Sequence, residues 1–334
     1  MKIKYFILPL VLLLLAISSC KTEVNYKGEI TEPLLVVFAD AVTNGFPKVT
    51  VSKSAFFLNK INREGTDTIN YKPYLLADAL VQYSVNNGAW ISMTYDAKEE
   101  SYLPDYKTAS RLQPDDKLTV SVSHPDFPST SASQLMPEKV DIALVEVKVY
   151  DKINNKGDTV CEYHLTYHIY PSEDKTLVGR LSLQDSYLKD LPLMSNDILF
   201  QELNYDINNQ NWREIIGTVF SFEEDELEDY REHLDFRMSE IPESGKDIVV
   251  VTRAPIAVVN DKVERKLKGV TTNCNFYSAE TYLYLNSMRK YKGTSTGMLG
   301  LEEKVQVYGN FSNGTIGCLT AKSYITYMTM FKEE

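Results

Sequence analysis

A strict two-residue alternation of apolar and polar side chains constrains this chain more than any other feature. The alternation is clearest in KLTVSVSH, residues 117–124, where single polar residues separate Leu118, Val120 and Val122. The segment follows a Pro-Asp-Asp turn signal at residues 114–116. Successive side chains of a strand point to opposite faces of the sheet, so this pattern predicts a β-strand with one buried face.

Similar segments recur through residues 34–137 and predict an immunoglobulin-like β-sandwich. They are short, rich in β-branched and aromatic residues, and separated by turn signals, as the strands of a two-sheet sandwich are. One of these signals, Asn86-Asn87-Gly88, predicts a hairpin whose glycine adopts a positive φ. The other segments that predict strands in this region are LLVVFAD (34–40), KVTVSKSAFFL (48–58), ADALVQYSV (77–85) and AWISMTYD (89–96).

Residues 138–334 predict a second β-rich domain with one or two short helices. A helix is predicted near residues 278–292, where Ser278 can cap the start and Thr281 and Leu285 share a face. A second short helix is predicted for the acidic stretch 221–234, which opens with a capping box. The predicted fold class is therefore mainly β. The segments that predict strands in this half are VDIALVEVKVYD, TVCEYHLTYHIY, REIIGTVFSF, LDFRMSEI, KDIVVVTRAP, EKVQVYGNF and TIGCLTAKSYITYMTMF.

The N-terminus predicts export and lipid attachment. Lys2 and Lys4 precede an apolar run from Tyr5 to Ile17, which is shorter than the roughly 20 residues that a membrane span needs. Small residues follow, and Ile-Ser-Ser-Cys ending at Cys20 resembles a bacterial lipobox, in which the cysteine thiol receives a diacylglycerol. We therefore predict a signal peptide at residues 1–19, lipidation of Cys20, and a polar tether over residues 20–33. An ordinary secretory signal with a chance cysteine is the alternative.

The net charge and the number and spacing of the cysteines argue against several classes of function. The net charge is −11, and loss of the signal lysines makes the mature chain more acidic, which argues against binding nucleic acid or anionic lipid by charge. If Cys20 is lipidated, the three remaining cysteines can form at most one disulfide within the chain, with three pairings open. The pair in the same half, Cys274 with Cys318, is preferred. No Cys-x-x-Cys motif is present, which argues against a zinc ribbon or a thioredoxin-type site.

The collinear order of these segments resembles a family of Bacteroidota outer-membrane lipoproteins known as domain of unknown function 4249. In the C-terminal motif of that family, Asn313 here replaces a glycine and Cys318 replaces a phenylalanine. The resemblance implies a surface or periplasm-facing lipoprotein, often encoded beside a TonB-dependent transporter, with no known activity or site residues. The matching segments are LLVVFADAVTNGFPKVTVSKS, ADALVQYSVNNG, KLTVSVSHPDFPSTSASQLMPEKVDI, YSAETYLYLNSMRKY and VYGNFSNGTIGCLTA.

Two motifs suggest catalysis or metal binding, but the predicted secondary structure around each of them does not fit that function. GTSTG, residues 293–297, matches the nucleophile elbow of serine hydrolases, but a helix precedes it and no histidine follows Ser295. His164 and His168 have chelating spacing on a helix, yet their surroundings predict a strand, where they would lie about 13 Å apart on a polar face. We therefore predict no catalytic residue, no metal site and no cofactor.

Three further stretches have mainly structural explanations. The acidic stretch 221–234 lacks the calcium-loop pattern. The glycine-rich segment 308–317 lacks the P-loop lysine and predicts a tight hairpin or bulge. Asp67-Thr68-Ile69 and Asp158-Thr159-Val160 resemble the short O-glycosylation signal of Bacteroidota.

The sequence thus predicts an outer-membrane-anchored lipoprotein, attached through lipidated Cys20, that is not an enzyme. We expect a binding or accessory module for nutrient capture, with a TonB-dependent transporter as partner and the cell surface favoured over the periplasmic face. The alternative is a structural or adhesive surface subunit of the fimbrillin-like kind. The ligand is not indicated by any motif.

Overall fold

The predicted mainly β class is confirmed. The structure is a computed structural model, and 53% of the residues that it describes are strand and 8% are helix. It describes residues 32–54, 74–153, 159–186, 188–200, 231–255, 257–259, 262–264, 267–293 and 307–331.

Nineteen strands and one α-helix make up the described regular structure, together with two short 3₁₀ turns, Ile198–Phe200 and Met238–Glu240. The helix, α1, spans Ala279–Gly293. The strands are β1 (Leu35–Val42), β2 (Lys48–Lys53), β3 (Leu80–Val85), β4 (Ile91–Ser92), β5 (Thr94–Asp96), β6 (Ser101–Leu103), β7 (Lys117–His124), β8 (Phe127–Leu135), β9 (Ile142–Ile153), β10 (Thr159–Ile169), β11 (Val178–Asp185), β12 (Asp190–Leu191), β13 (Leu193–Met194), β14 (Leu234–Arg237), β15 (Lys246–Pro255), β16 (Ala257–Val259), β17 (Lys262–Glu264), β18 (Gly269–Tyr277) and β19 (Leu319–Met330).

The first half of the chain forms an immunoglobulin-like sandwich, as predicted. One sheet has the order β1-β2-β6-β5 and the facing sheet has the order β4-β3-β7-β8. All neighbouring pairs within these two sets are antiparallel. These are the A-B-E-D and C′-C-F-G orders of immunoglobulin-like domains. The alternating residues Leu118, Val120 and Val122 of β7 are fully buried between the sheets.

The second half forms another sandwich. A four-stranded sheet, β13-β15-β10-β9, packs against a sheet that contains β12, β11, β18 and β19. β14 also pairs with β11. The core between these sheets is built from inward rows such as Leu165, Tyr167 and Ile169 of β10 and Cys274 and Phe276 of β18.

The last strand joins the two sandwiches into one nine-stranded sheet. Leu319–Lys322 of β19 pairs in parallel with β1, and Lys322–Met330 pairs with β18. Leu319 and Ala321 are therefore part of the first core, although they come from the far end of the chain. The predicted division at residues 137 and 138 lies close to the point where one core gives way to the other, but the sheet itself continues across it.

The helix begins where the sequence predicted it would. The Ser278 hydroxyl accepts a hydrogen bond from the backbone N–H of Thr281 at 3.2 Å, as expected of an N-cap. The second predicted helix, 221–234, lies outside the described residues as far as 230. Arg231 then bridges to Leu193, and Leu234 starts β14, so the end of that stretch is not helical. None of the helical segments in the described ranges has the length and apolar character that a bilayer crossing requires.

The hairpin after β3 departs from its prediction. Asn86 and Asn87 have φ angles of 53° and 56°, and the N–H of Gly88 donates to the carbonyl of Val85 at 2.9 Å. Positive φ at both central residues is the type I′ turn, so the two asparagines adopt the left-handed conformation and the glycine only closes the turn.

The preferred Cys274–Cys318 disulfide is wrong in this fold. Both residues are free, buried thiols. Cys274 lies opposite Ile325 in the β18–β19 ladder, seven residues along from Cys318. At about 3.3 Å per residue the two positions are roughly 23 Å apart, and a disulfide needs Cα atoms closer than about 7 Å. Burial raises the pKa of both thiols, that of Cys318 to about 12, so neither is a reactive nucleophile.

Candidate functional site

An open groove of about 930 Å³ lies on the first sandwich. Three segments form it: the β1–β2 turn, the β5–β6 turn, and the connection that leaves β6. Its lining mixes aromatic, apolar and charged side chains of both signs. These residues are Phe46, Pro47, Lys48, Asp96, Lys98, Glu99, Leu103, Tyr106, Ala109 and Arg111.

An aromatic pair with a stacked arginine forms one wall of the groove. The rings of Phe46 and Tyr106 have centroids 4.9 Å apart, and the Arg111 guanidinium lies 5.0 Å from the centroid of the Phe46 ring. A guanidinium Nη1 of Arg111 also donates to the carbonyl of Asn44 at 2.7 Å. Tyr106 remains 55% exposed, so its ring is available to a ligand.

Backbone hydrogen bonds hold this wall in place. Asn44 donates to the carbonyl of Leu112 at 2.7 Å, and Leu112 donates back to Gly45 at 2.9 Å. Asn44 has a φ of 64°, which Asn tolerates better than most residues. Leu112 is buried in the first core, so the backbone of Arg111 is held by a buried neighbour.

Charged groups form another part of the lining. Lys48 Nζ lies 3.1 Å from a carboxylate oxygen of Glu99, with both side chains about half exposed. Asp96 accepts hydrogen bonds from the backbone N–H groups of Glu99 and Lys98, which lower its pKa. The groove therefore offers ammonium donors, carboxylate acceptors and an aromatic surface within one cleft, which suits a polar ligand that also has an apolar face.

A second cluster of charges lies on the outer face of the four-stranded sheet. The Glu162 side chain is 2% exposed and contacts Lys152 at 2.7 Å, His164 at 2.7 Å and Arg253 at 3.0 Å. Burial alone would raise the pKa of Glu162, but the hydrogen bonds from these three partners outweigh it and lower the pKa to about 2. With its carboxylate saturated by partners, Glu162 stabilises the sheet and is not poised to act as a base.

A third cluster fixes helix α1 to the sheet. Arg180 donates to both carboxylate oxygens of Asp235, at 2.7 and 2.9 Å, and Asp235 has no exposed surface. Tyr282 and Arg289 of the helix also approach Asp235, at 3.4 and 3.7 Å. Burial and the neighbouring Arg180 lower the pKa of His233 to about 4, so neutral His233 can accept the hydrogen bond from Arg289.

The histidine pair lies where the strand interpretation placed it. His164 and His168 both lie on β10, on the face opposite Leu165 and Tyr167. Each has its own carboxylate partner: Glu162 for His164 and Asp247 for His168, both at 2.7 Å. In the part of the chain that the structure describes, no group of three His, Cys, Asp or Glu side chains is arranged to hold a metal ion.

The remaining sequence motifs divide between described and undescribed residues. Cys20, Ser295 and Thr68 lie outside the described residues, while Thr159 is the first residue of β10. Within the glycine-rich segment, Asn313 and Gly314 have φ angles of 57° and 71° and form a tight turn, which confirms that prediction. The groove residues were missed because no single motif contains them; the only nearby signal was the Asn44-Gly45 turn.

The sequence comparisons gave no match to a family model and none to a curated protein.

Proposed function

We propose that this protein is a membrane-anchored binding module that captures a polar nutrient in the groove of its first sandwich. The observation that carries the proposal is the cluster of Phe46, Tyr106 and Arg111 in a groove that is also lined by ammonium and carboxylate groups. Tyrosine and arginine are among the side chains that contribute most to binding in protein interfaces. Oligosaccharides are the first ligand class to test, because sugars combine hydroxyl groups with an apolar ring face.

The sequence supports an anchored location for such a module. The lipobox-like segment before Cys20 and the polar residues 21–33 suit a lipid-attached chain on a tether. The family resemblance suggests that this location is the outer membrane, with the cell surface favoured. It also suggests a TonB-dependent transporter as the partner that would receive the captured nutrient. The acidic net charge is consistent with attachment through acyl chains instead of a basic patch.

The groove is tested by titrating the mature lipoprotein, in detergent, with a panel of neutral and acidic oligosaccharides. We expect Tyr106→Ala to weaken binding of the best ligand by at least about tenfold, since it removes the exposed ring of the aromatic wall. Isothermal titration calorimetry measures the affinity. Tyr324→Ala is the matched control, because Tyr324 is 54% exposed but lies on β19.

Two outcomes would contradict the groove proposal. One is that no member of the panel binds above the background of the control protein. The other is that Tyr106→Ala and Tyr324→Ala bind the same ligand with equal affinity.

The anchor is tested by Cys20→Ala in cells. We expect the variant to leave the membrane fraction, because the thioether cannot form without the thiol, whereas the wild-type chain stays there and gains mass from its acyl chains. Membrane fractionation and intact-mass spectrometry measure both. A Cys20→Ala chain that remains in the membrane fraction as fully as the wild-type chain would refute lipid attachment, and Cys318→Ala controls for loss of a thiol elsewhere.

A further inference from the structure

β9 forms an outer edge of the four-stranded sheet. It pairs with β10 along its whole length, from Ile142 to Ile153. In the described part of the chain, no strand pairs with its other edge. Val145 and Tyr150 are 56% and 46% exposed, so the strand is open to solvent. The unpaired N–H and C=O groups of such an edge can accept another strand.

The open length of this edge can be read from the structure. The beginning of β9 lies near the last strand, because Ser323 of β19 donates to the carbonyl of Glu138 at 2.5 Å. Val145 is an extra residue in the ladder with β10, where the register shifts. Beyond that bulge, residues 146–153 run without interruption and form the regular part of the edge.

The sequence of this regular part is complementary to itself. Suppose that a second copy of β9 pairs antiparallel about a two-fold axis at Val149. Glu146 of each copy then lies opposite Lys152 of the other copy, which gives two such contacts. Lys148 then lies opposite Tyr150, also twice. Opposite charges across a strand pair are favourable, and a lysine can contact a tyrosine ring.

Neighbouring registers lack this complementarity. Sliding the second strand by two residues in one direction places Lys148 opposite its own copy. Sliding it by two residues in the other direction places Lys148 opposite Lys152. Like charges directly opposite each other are destabilising, so the charges on the outer face select the register centred on Val149.

We propose that the open edge of β9 binds a second copy of the same chain. The two β9 strands then pair edge to edge and form a continuous eight-stranded sheet. Two-fold pairing uses the same surface on both copies, as symmetric dimers do. The proposal is independent of the groove, which lies on the other sandwich.

The register is tested by cross-linking a full-length Val149→Cys lipoprotein. Residue 149 would face its own copy across the axis, with Cβ atoms about 5 Å apart, close to disulfide range. We expect mild oxidation to give a disulfide-linked dimer on a non-reducing gel. Thr326→Cys, on the exposed face of β19, is the control. Equal cross-linking of the two variants would overturn the register.

The interface itself is tested by Glu146→Lys, which leaves the core untouched. The substitution places one lysine opposite Lys152 at each of the two symmetric contacts in the dimer, so we expect the dissociation constant to rise by at least about tenfold. Glu240→Lys makes the same charge change at an exposed site away from β9. Sedimentation equilibrium of the mature protein in detergent measures both. A wild-type protein that stays monomeric up to on the order of 100 µM, or a Glu146→Lys variant that dimerises as well as wild type, would refute the proposal.

Discussion

Gly317→Ala is expected to lower the free energy of unfolding by more than about 4 kcal/mol, or to prevent folding. Gly317 has a φ of 125°, a conformation that residues with side chains rarely adopt. An added Cβ would lie 1.8 Å from the carbonyl oxygen of Val37, which belongs to the backbone of β1 and cannot rotate away.

The site of this clash is the junction of the two ends of the chain. The N–H of Val37 donates to Ile316 at 2.8 Å, and the N–H of Ala39 donates to Cys318 at 3.0 Å. Moving Gly317 away from β1 would therefore break backbone hydrogen bonds on both sides of it. The loss should appear in urea unfolding followed by circular dichroism.

Gly314→Ala is the matched control for this prediction. Gly314 also has a positive φ, 71°, but an added Cβ would meet no heavy atom within 4 Å. We expect it to cost only about 1 kcal/mol, the price of the left-handed conformation. Equal free energies of unfolding for the two variants would show that the close approach of Gly317 to Val37 does not determine the stability of the protein.

Glu162→Gln is expected to destabilise the protein by about 3 kcal/mol at neutral pH. Breaking a buried ion pair is strongly destabilising, and Arg253, which contacts Glu162, is itself largely buried. Lys152 is half exposed and can return to water, which keeps the effect at the lower end of the usual range. Glu243→Gln is the control, since its pair with Lys175 is exposed and should contribute little.

The same carboxylate predicts a pH dependence. Its pKa falls from 4.5 to about 2 on folding, so the unfolded chain binds the proton more tightly than the folded protein does. The stabilisation is complete above pH 4.5 and is lost as the pH falls towards 2. The difference in stability between wild type and Glu162→Gln should therefore shrink over that window. A difference that stays constant from pH 7 to pH 3 would contradict the assigned role of the Glu162 charge.

The sequence predicted local features well because they depend on neighbouring residues. The alternation around Val120 identified β7, and Ser278 marked the start of the helix. The polar row of His164 and His168 followed from the two-residue period alone. The predicted sandwich of the first half followed from the spacing of such segments.

Features that depend on distant residues were not predictable. The parallel pairing of β1 with β19 joins residues such as Ala39 and Leu319, and no local pattern records such a partner. The predicted Cys274–Cys318 disulfide was wrong for the same reason. The two cysteines lie in the same half of the sequence, but this does not tell how far apart they are in the β18–β19 strand pair. The groove combines side chains from three separate turns, and Glu162 looked like one more polar residue on an exposed face.

The position of β19 has a consequence for the order in which the protein folds. The ribosome makes residues 319–330 long after residues 35–42, yet Leu319 and Ala321 complete the core of the first sandwich. That core is therefore incomplete until residue 321 has been made, and until then β1 lacks its partner strand β19. Folding that depends on contacts this far apart in sequence is slow.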